Sequence, residues 1–212
     1  MNLFKLTCKV KLNLLLLCLT TLLGYSQRDT ERWKAQLALG VSSPSQSGFV
    51  EDFEGKSVNF PTINIGIQHM FKRQLGAKLD YGFNRISNED HSPEFKLNYT
   101  RINLQAIYDP TKNLTFLPQR MGVVAHAGPG YTFIKPLGDF TQNDTSFFNA
   151  IAGIEWHFAV SKRLSLYLDT SYIFGFAKDF DPITEGYGSF NGNLLTITAG
   201  ITFSLSGCQY CD

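Results

Sequence analysis

Leu75-Gly76-Ala77-Lys78-Leu79-Asp80-Tyr81-Gly82-Phe83 alternates without a break. Leu75, Ala77, Leu79, Tyr81 and Phe83 fall on one parity, and Gly76, Lys78, Asp80 and Gly82 on the other. A period of two is the signature of a β-strand, because successive side chains leave a pleated backbone on opposite faces. Here one face is bulky and apolar, while the other holds both charges and both glycines. Upstream, Trp33, Ala35, Leu37, Leu39 and Val41 oppose Lys34, Gln36, Ala38 and Gly40, and Ile63, Ile65, Ile67 and Phe71 oppose Asn64, Gly66 and Gln68.

The scheme continues downstream. Phe95, Leu97 and Tyr99 are followed by Ile102, Leu104, Ala106 and Tyr108, a change of parity that predicts a β-bulge near Thr100. Further alternating runs begin at Met121, Phe148, Leu164 and Leu195, and no stretch sustains helical spacing. The count is roughly eight strands of about 9 to 15 residues, the number and length of a small transmembrane barrel. Connections alternate: 72–74 and 161–163 are tight, whereas 42–60, 87–94, 135–145 and 177–191 are long and polar. An up-and-down membrane barrel has short turns at one end, long loops at the other and, with an even strand number, both termini at the turn end. The long connection 109–120 breaks the pattern. The expected fold is all-β, an eight-stranded antiparallel transmembrane up-and-down β-barrel over residues 27–205.

Composition agrees. The chain has 212 residues, 43% of them hydrophobic, with 18 Phe, 9 Tyr and 18 Gly, which excludes intrinsic disorder and fits one strand-rich domain. A formal charge of +1 gives no reason to expect a nucleic-acid partner. Lys5, Lys9 and Lys11 precede a Leu-rich run over 12–23, and Gly24 and Ser26 supply the small residues of a cleavage site, so residues 1–26 read as a secretory signal peptide cut before Gln27. The run is shorter than the roughly 17 to 25 residues of a spanning helix, which argues against an anchor. Cleavage leaves 16 basic and 18 acidic residues and removes Cys8 and Cys18. Cys208 and Cys211 then stand alone in a short periplasmic tail, 206–212, where a small disulfide is the expected state.

The same alternation could describe a soluble barrel turned inside out. Glycine decides against it: Gly40, Gly66, Gly76, Gly82, Gly122, Gly128, Gly130, Gly153 and Gly200 share the polar parity, which suits a crowded interior. The apolar parity therefore faces lipid. Trp33, Phe71, Trp156 and Phe158 lie near the turns and Phe83, Tyr99, Tyr131, Phe133 and Phe174 near the loops, as two aromatic girdles would. The interior then holds Lys34, Lys78 and Arg101 against Asp80, Glu155 and Asp169, with His126 and His157. Unpaired charges in so narrow a lumen are costly, so a polar plug is expected over a conducting pore, with Glu155 and Asp169 pairing Lys78 or Arg101.

The stretches 59–66 (NFPTINIG), 75–83, 125–131 (AHAGPGY) and 195–203 (LTITAGITF) together resemble the N-terminal barrel of Bacteroidota outer-membrane protein A homologues, over nearly the whole mature chain. Thr198, Gly200, Phe203 and Leu205 are similar to the terminal β-signal read by the barrel-assembly machinery. The resemblance implies a bacterial outer-membrane location with periplasmic termini, contact with outer-membrane lipid and lipopolysaccharide, and a structural, adhesive or pore-forming role. Family members carry a peptidoglycan-binding domain after the barrel; only seven residues follow Leu205 here, so tethering is not carried over.

Some small barrels are lipid-modifying enzymes, which need a nucleophile or carboxylate pair beside a His at the lipid or loop face. His69 falls on the lipid-facing parity, His91 in a loop, and His126 and His157 inward, so no catalytic set converges and neither catalysis, cofactor nor metal is expected. Charge separates by end. The long loops hold Glu51, Asp52, Glu54, Glu89, Asp90, Glu94, Asp139, Asp144, Asp179, Asp181 and Glu185 against Lys56, Lys135 and Lys178, whereas the turns hold Lys72, Arg73, Lys112, Arg120, Lys162 and Arg163 against Asp109. An acidic outer rim is expected to favour cations or basic surface proteins.

Overall fold

A computed structural model describes residues 32–161 and 163–205. The signal peptide, the tail with Cys208 and Cys211, and Lys162 lie outside the described residues.

The alternating segments form eight strands: β1 (Trp33–Pro44), β2 (Asn59–Met70), β3 (Leu75–Ser87), β4 (Lys96–Tyr108), β5 (Met121–Leu137), β6 (Thr145–Ala159), β7 (Leu164–Phe176) and β8 (Leu194–Ser204). Each pairs antiparallel with its sequence neighbours, and β1 pairs with β8 from Lys34↔Ser204 to Pro44↔Leu194, which closes the barrel. Closure leaves no sheet edge, so the strands satisfy their backbone groups without help from solvent. The outer wall exposes Leu37, Ile65, Leu79, Leu104, Ile154, Leu168 and Ile201 with no second layer over them. The fold is that of a transmembrane β-barrel.

Connections alternate as the pattern requires. Loops L1 (45–58), L2 (88–95), L3 (138–144) and L4 (177–193) crowd one end; the turns 71–74 and 160–163 and the segment 109–120 close the other. The long segment is folded rather than loose. Thr111 bonds the backbone of Val123 in both senses, accepting at 3.0 Å and donating at 3.2 Å, and Asp109 accepts from the amide of Thr111 at 3.0 Å. A methyl on Gly122 would lie 3.2 Å from the Thr111 hydroxyl, so this glycine lets the segment dock under β5.

The bulge expected near Thr100 is absent. The β3–β4 register runs unbroken from Leu75↔Tyr108 to Ser87↔Lys96. Phe95, Leu97 and Tyr99 instead point into the barrel, where Leu97 and Tyr99 are 0% exposed, so Tyr99 belongs to no girdle. The apolar residues change face while the backbone keeps its phase. The reason is what waits inside: Ile86, Ile134, Phe147, Ile151, Ile173, Phe190 and Leu194 also turn inward there and form one apolar cluster with the three. The irregularity that does occur lies between Gly40 and Ser42, on β1 against β2.

The loops extend this cluster into a lid. Phe49 of L1 packs 4.8 Å from Phe190 of L4, and Phe53 of L1 lies 5.3 Å from Tyr187 and 5.5 Å from Phe140 of L3. Asn143 ties L3 to L4 through the carbonyls of Thr184 and Tyr187, both at 2.9 Å. A gap left inside the barrel stays empty, whereas acyl chains flow into one on the wall. Leu97→Ala is therefore expected to lower the unfolding free energy by about 2–5 kcal/mol, the usual cost of a core Leu→Ala cavity. Urea unfolding in lipid vesicles measures it; a cost no greater than that of Leu104→Ala on the outer wall would return Leu97 to the lipid face.

Candidate functional site

Below the apolar cap the inward residues become polar. All eight side chains expected in the lumen are there: Lys34, Lys78, Asp80, Arg101, His126, Glu155 and Asp169 are buried and His157 half-buried. They sit on six different strands, and inward glycines make the room. A methyl on Gly82 would lie 2.7 Å from the Arg101 guanidinium carbon, and one on Gly153 2.6 Å from His126 Nε2.

Two bonded networks and a separate group around Asp169 fill this layer. In the first, Lys78 Nζ donates to Glu155 Oε1 at 2.6 Å, and Glu155 Oε2 takes His157 Nε2 at 2.7 Å and the Gln36 amide at 2.9 Å. His157 in turn stacks on Tyr167 at 5.3 Å. In the second, Arg101 pairs with Asp80 and donates to Asn103 at 3.0 Å and Asn64 at 3.1 Å. From Asn103 the bonds continue through Asn149 to Thr132 and to the Tyr99 hydroxyl, so the charged layer is anchored to the apolar cap. The expected partner of Asp169 is corrected. It meets neither Lys78 nor Arg101; His126 Nε2 lies 2.8 Å away and Ser171 also donates to it. Arg101 is engaged by Asp80, which the β3–β4 register places two residues along the adjacent strand.

Below, Met70, Ile107 and Val124 form a small apolar floor, with the Gln68 amide against Met70 Sδ at 2.9 Å. The lumen is thus filled at three levels, an apolar cap, a charged middle and an apolar floor. Between Lys78, Arg101, Gln105, His126, Glu155 and Asp169 remains a cavity of about 10 Å³, room for one water molecule's centre. Gln105 lines it with both amide atoms unbonded to protein, the kind of buried group an ordered water satisfies.

The residues that could hold a metal are His126, Glu155 and Asp169, whose donor atoms lie within 4.8 Å of one another. Glu155 is occupied by Lys78 and His157, and Asp169 by His126 and Ser171, so an incoming ion would have to displace partners already bonded to both carboxylates. Ser171, His126 and Asp169 are adjacent but form no relay, since the hydroxyl faces the same His126 Nε2 that meets Asp169. His69 is outside, its ring 4.3 Å from Trp33 and 5.2 Å from Phe71, at the turn-end girdle. In the terminal segment Thr198 and Gly200 face inward, whereas Phe203 and Leu205 are exposed on the wall. A methyl on Gly200 would fall 2.3 Å from the Leu37 carbonyl oxygen, so glycine there permits the β1–β8 closure.

The site that reasoning from sequence missed is the cap. Its signal was present in Leu97 and Tyr99, apolar residues on the polar parity of their own strand.

Removing one partner of a buried ion pair strands the other. Lys78→Met is expected to cost about 3–5 kcal/mol, and adding Glu155→Gln to recover much of it, because the double variant buries no lone charge. Denaturant unfolding of both single variants and the double measures the coupling; additive losses would show that the pair does not act as a unit.

No family model matches the chain, and no curated protein matches it. Solved structures do. Neisserial surface protein A superposes with a TM-score of 0.54 at 17% identity, covering 82% of this chain and 96% of its own. A major outer membrane protein from Thermus thermophilus gives 0.53 at 11% identity, covering 81% and 98%. The attachment invasion locus protein Ail of Yersinia pestis gives 0.51 at 10% identity, covering 82% and 99%. The fold these share with the chain is an eight-stranded transmembrane barrel.

Proposed function

We propose that the chain is a bacterial outer-membrane barrel that serves as a structural and surface-interaction protein, with both termini in the periplasm and a lumen that does not conduct. The observation that carries this reading is the three-level filling of the interior. A conducting barrel needs a continuous aqueous path, and here the middle level alone holds the Lys78–Glu155 and Arg101–Asp80 pairs and the His126–Asp169 contact, with a bonded partner on each of the three carboxylates. The likeness to outer-membrane barrels supports the location, and the resemblance to Bacteroidota OmpA-type barrels belongs to the same reading. So does recognition of Thr198, Gly200, Phe203 and Leu205 by the assembly machinery during insertion.

The loop end is where a partner would be met. L1, L3 and L4 are bonded into one lid, and Glu51, Asp52, Glu54, Asp139, Asp144, Asp179, Asp181 and Glu185 stand exposed on it. A preformed acidic surface favours basic proteins or cations, with forces screened beyond about 10 Å at 0.1 M salt. Among the described residues the His126, Glu155 and Asp169 cluster lies under the cap, so the proposal assigns it a structural role.

Two measurements test the reading. The mature chain should fractionate with the outer membrane and migrate differently on gels before and after boiling; a folded soluble form would refute the barrel. In planar bilayers it should give no steady single-channel openings, and regular openings would favour the small porin-like channel instead.

A further inference from the structure

The outer wall is almost free of charge, and the exceptions are grouped. Among the described residues the outward positions of the eight strands carry three Lys or Arg side chains, Arg85 on β3, Lys96 on β4 and Lys135 on β5, and no acid, with His69 of β2 apart from them at the turn end. The register brings them together: Arg85 faces Asn98, Asn98 faces Lys135, and Lys96 lies two residues above Asn98 on the middle strand. Two strand spacings put the Arg85 and Lys135 backbones about 10 Å apart, with Lys96 about 7 Å further toward the loops. The side chains of all three therefore reach a common point on the wall.

The group is oriented and uncompensated. Arg85 Nε donates to Asn98 Oδ1 at 2.7 Å and its guanidinium lies 5.9 Å from the Phe83 ring centroid, so one donor is used and the terminal nitrogens take part in no ion pair among the described residues. None of the three is ion-paired with a carboxylate among the described residues. Glu89, Asp90 and Glu94 of the adjoining L2 belong to the loop above, so sign changes from rim to wall. Immediately below come Phe83, Thr100 and Phe133 in register, and then Tyr81, Ile102 and Tyr131. A ligand that satisfies both levels carries anionic oxygens above and hydrocarbon below. Cations cost about 2–4 kcal/mol on a barrel's lipid face at the midplane and nearly nothing at the interface, so this level is where they can stand.

We infer that Arg85, Lys96 and Lys135, with Asn98, form a binding site for the phosphate groups of a lipid in the leaflet at the long-loop end, which in an outer membrane is a phosphorylated glycolipid. The site rests on the membrane-barrel reading. It differs from the acidic rim in both position and sign: the rim meets soluble partners, and the wall holds a lipid headgroup against an aromatic step. Arg suits this role through its planar fork of donors, and the two lysines add mobile point charges.

The test is native mass spectrometry of the full mature chain released from micelles containing lipid A with both phosphates, or the same lipid dephosphorylated. The wild type is expected to retain the phosphorylated form preferentially. Changing Arg85, Lys96 and Lys135 together to Gln should weaken it at least about tenfold, the loss of a single charge-assisted contact being enough for that. Lys72, Lys112 and Arg120 changed to Gln at the turn end should leave it unchanged, and millimolar inorganic phosphate should not compete. Lys135→Glu alone, at an exposed position, gives the same sign should the triple variant fold poorly. Equal retention by wild type and triple variant, equal retention of the two lipids, or displacement by free phosphate would each overturn the site. The gel shift on boiling, run on the same samples, separates these outcomes from failure of the barrel itself.

Discussion

Everything in this molecule follows from the closure of β1 on β8. In a hydrocarbon solvent each strand must find partners on both sides, and the cheapest way for eight strands to do so is a cylinder. Once closed, the cylinder leaves a side chain two destinations, lipid or lumen, decided by parity alone. An eight-stranded lumen is too narrow to hold much water and too wide to be left empty. The sequence must therefore fill it.

It does so in layers matched to what each end meets. At the loop end, apolar side chains from the strands continue into Phe49, Phe53 and Phe190 of the loops, so the lid and the barrel share one core. In the middle, charge is tolerated because it is partnered: Lys78 pairs with Glu155 and Arg101 with Asp80, while His126 and Ser171 bond Asp169. Such pairs contribute little net stability over an apolar filling, but each one punishes misregister, since a strand shifted by one residue would turn its charge into lipid. Specifying the register is the role that this arrangement fits best.

The parity of nearly every strand was legible in the sequence, because bulky residues and glycines segregate so cleanly in runs such as 75–83. Membership of the luminal set followed from parity too. Partner choice followed only in part: Glu155 takes Lys78 as expected, whereas Asp80 meets Arg101 and Asp169 meets His126 through barrel geometry, which no linear spacing encodes. The error at Phe95, Leu97 and Tyr99 came from equating apolar with outward. That rule holds where the lumen is polar and fails where loops roof it with their own aromatics. The same rule hid the basic wall, since Arg85 and Lys96 lie within strands and escape any sum of charge by loop. Seen on the barrel, they and Lys135 separate a cationic wall from an anionic rim.

The central claim, that the lumen is a closed, internally bonded plug, can be read most directly from the Lys78 ammonium. Its protons should be sealed from bulk water between cap and floor and held by Glu155. In nitrogen-resolved NMR of the chain in lipid nanodiscs at neutral pH, Lys78 is expected to give a sharp ammonium signal that exchanges slowly with water and disappears in Lys78→Met. If no lysine ammonium is protected, or if that signal exchanges as fast as those of the exposed Lys72 and Lys112, water reaches the middle of the barrel and the plug does not exist.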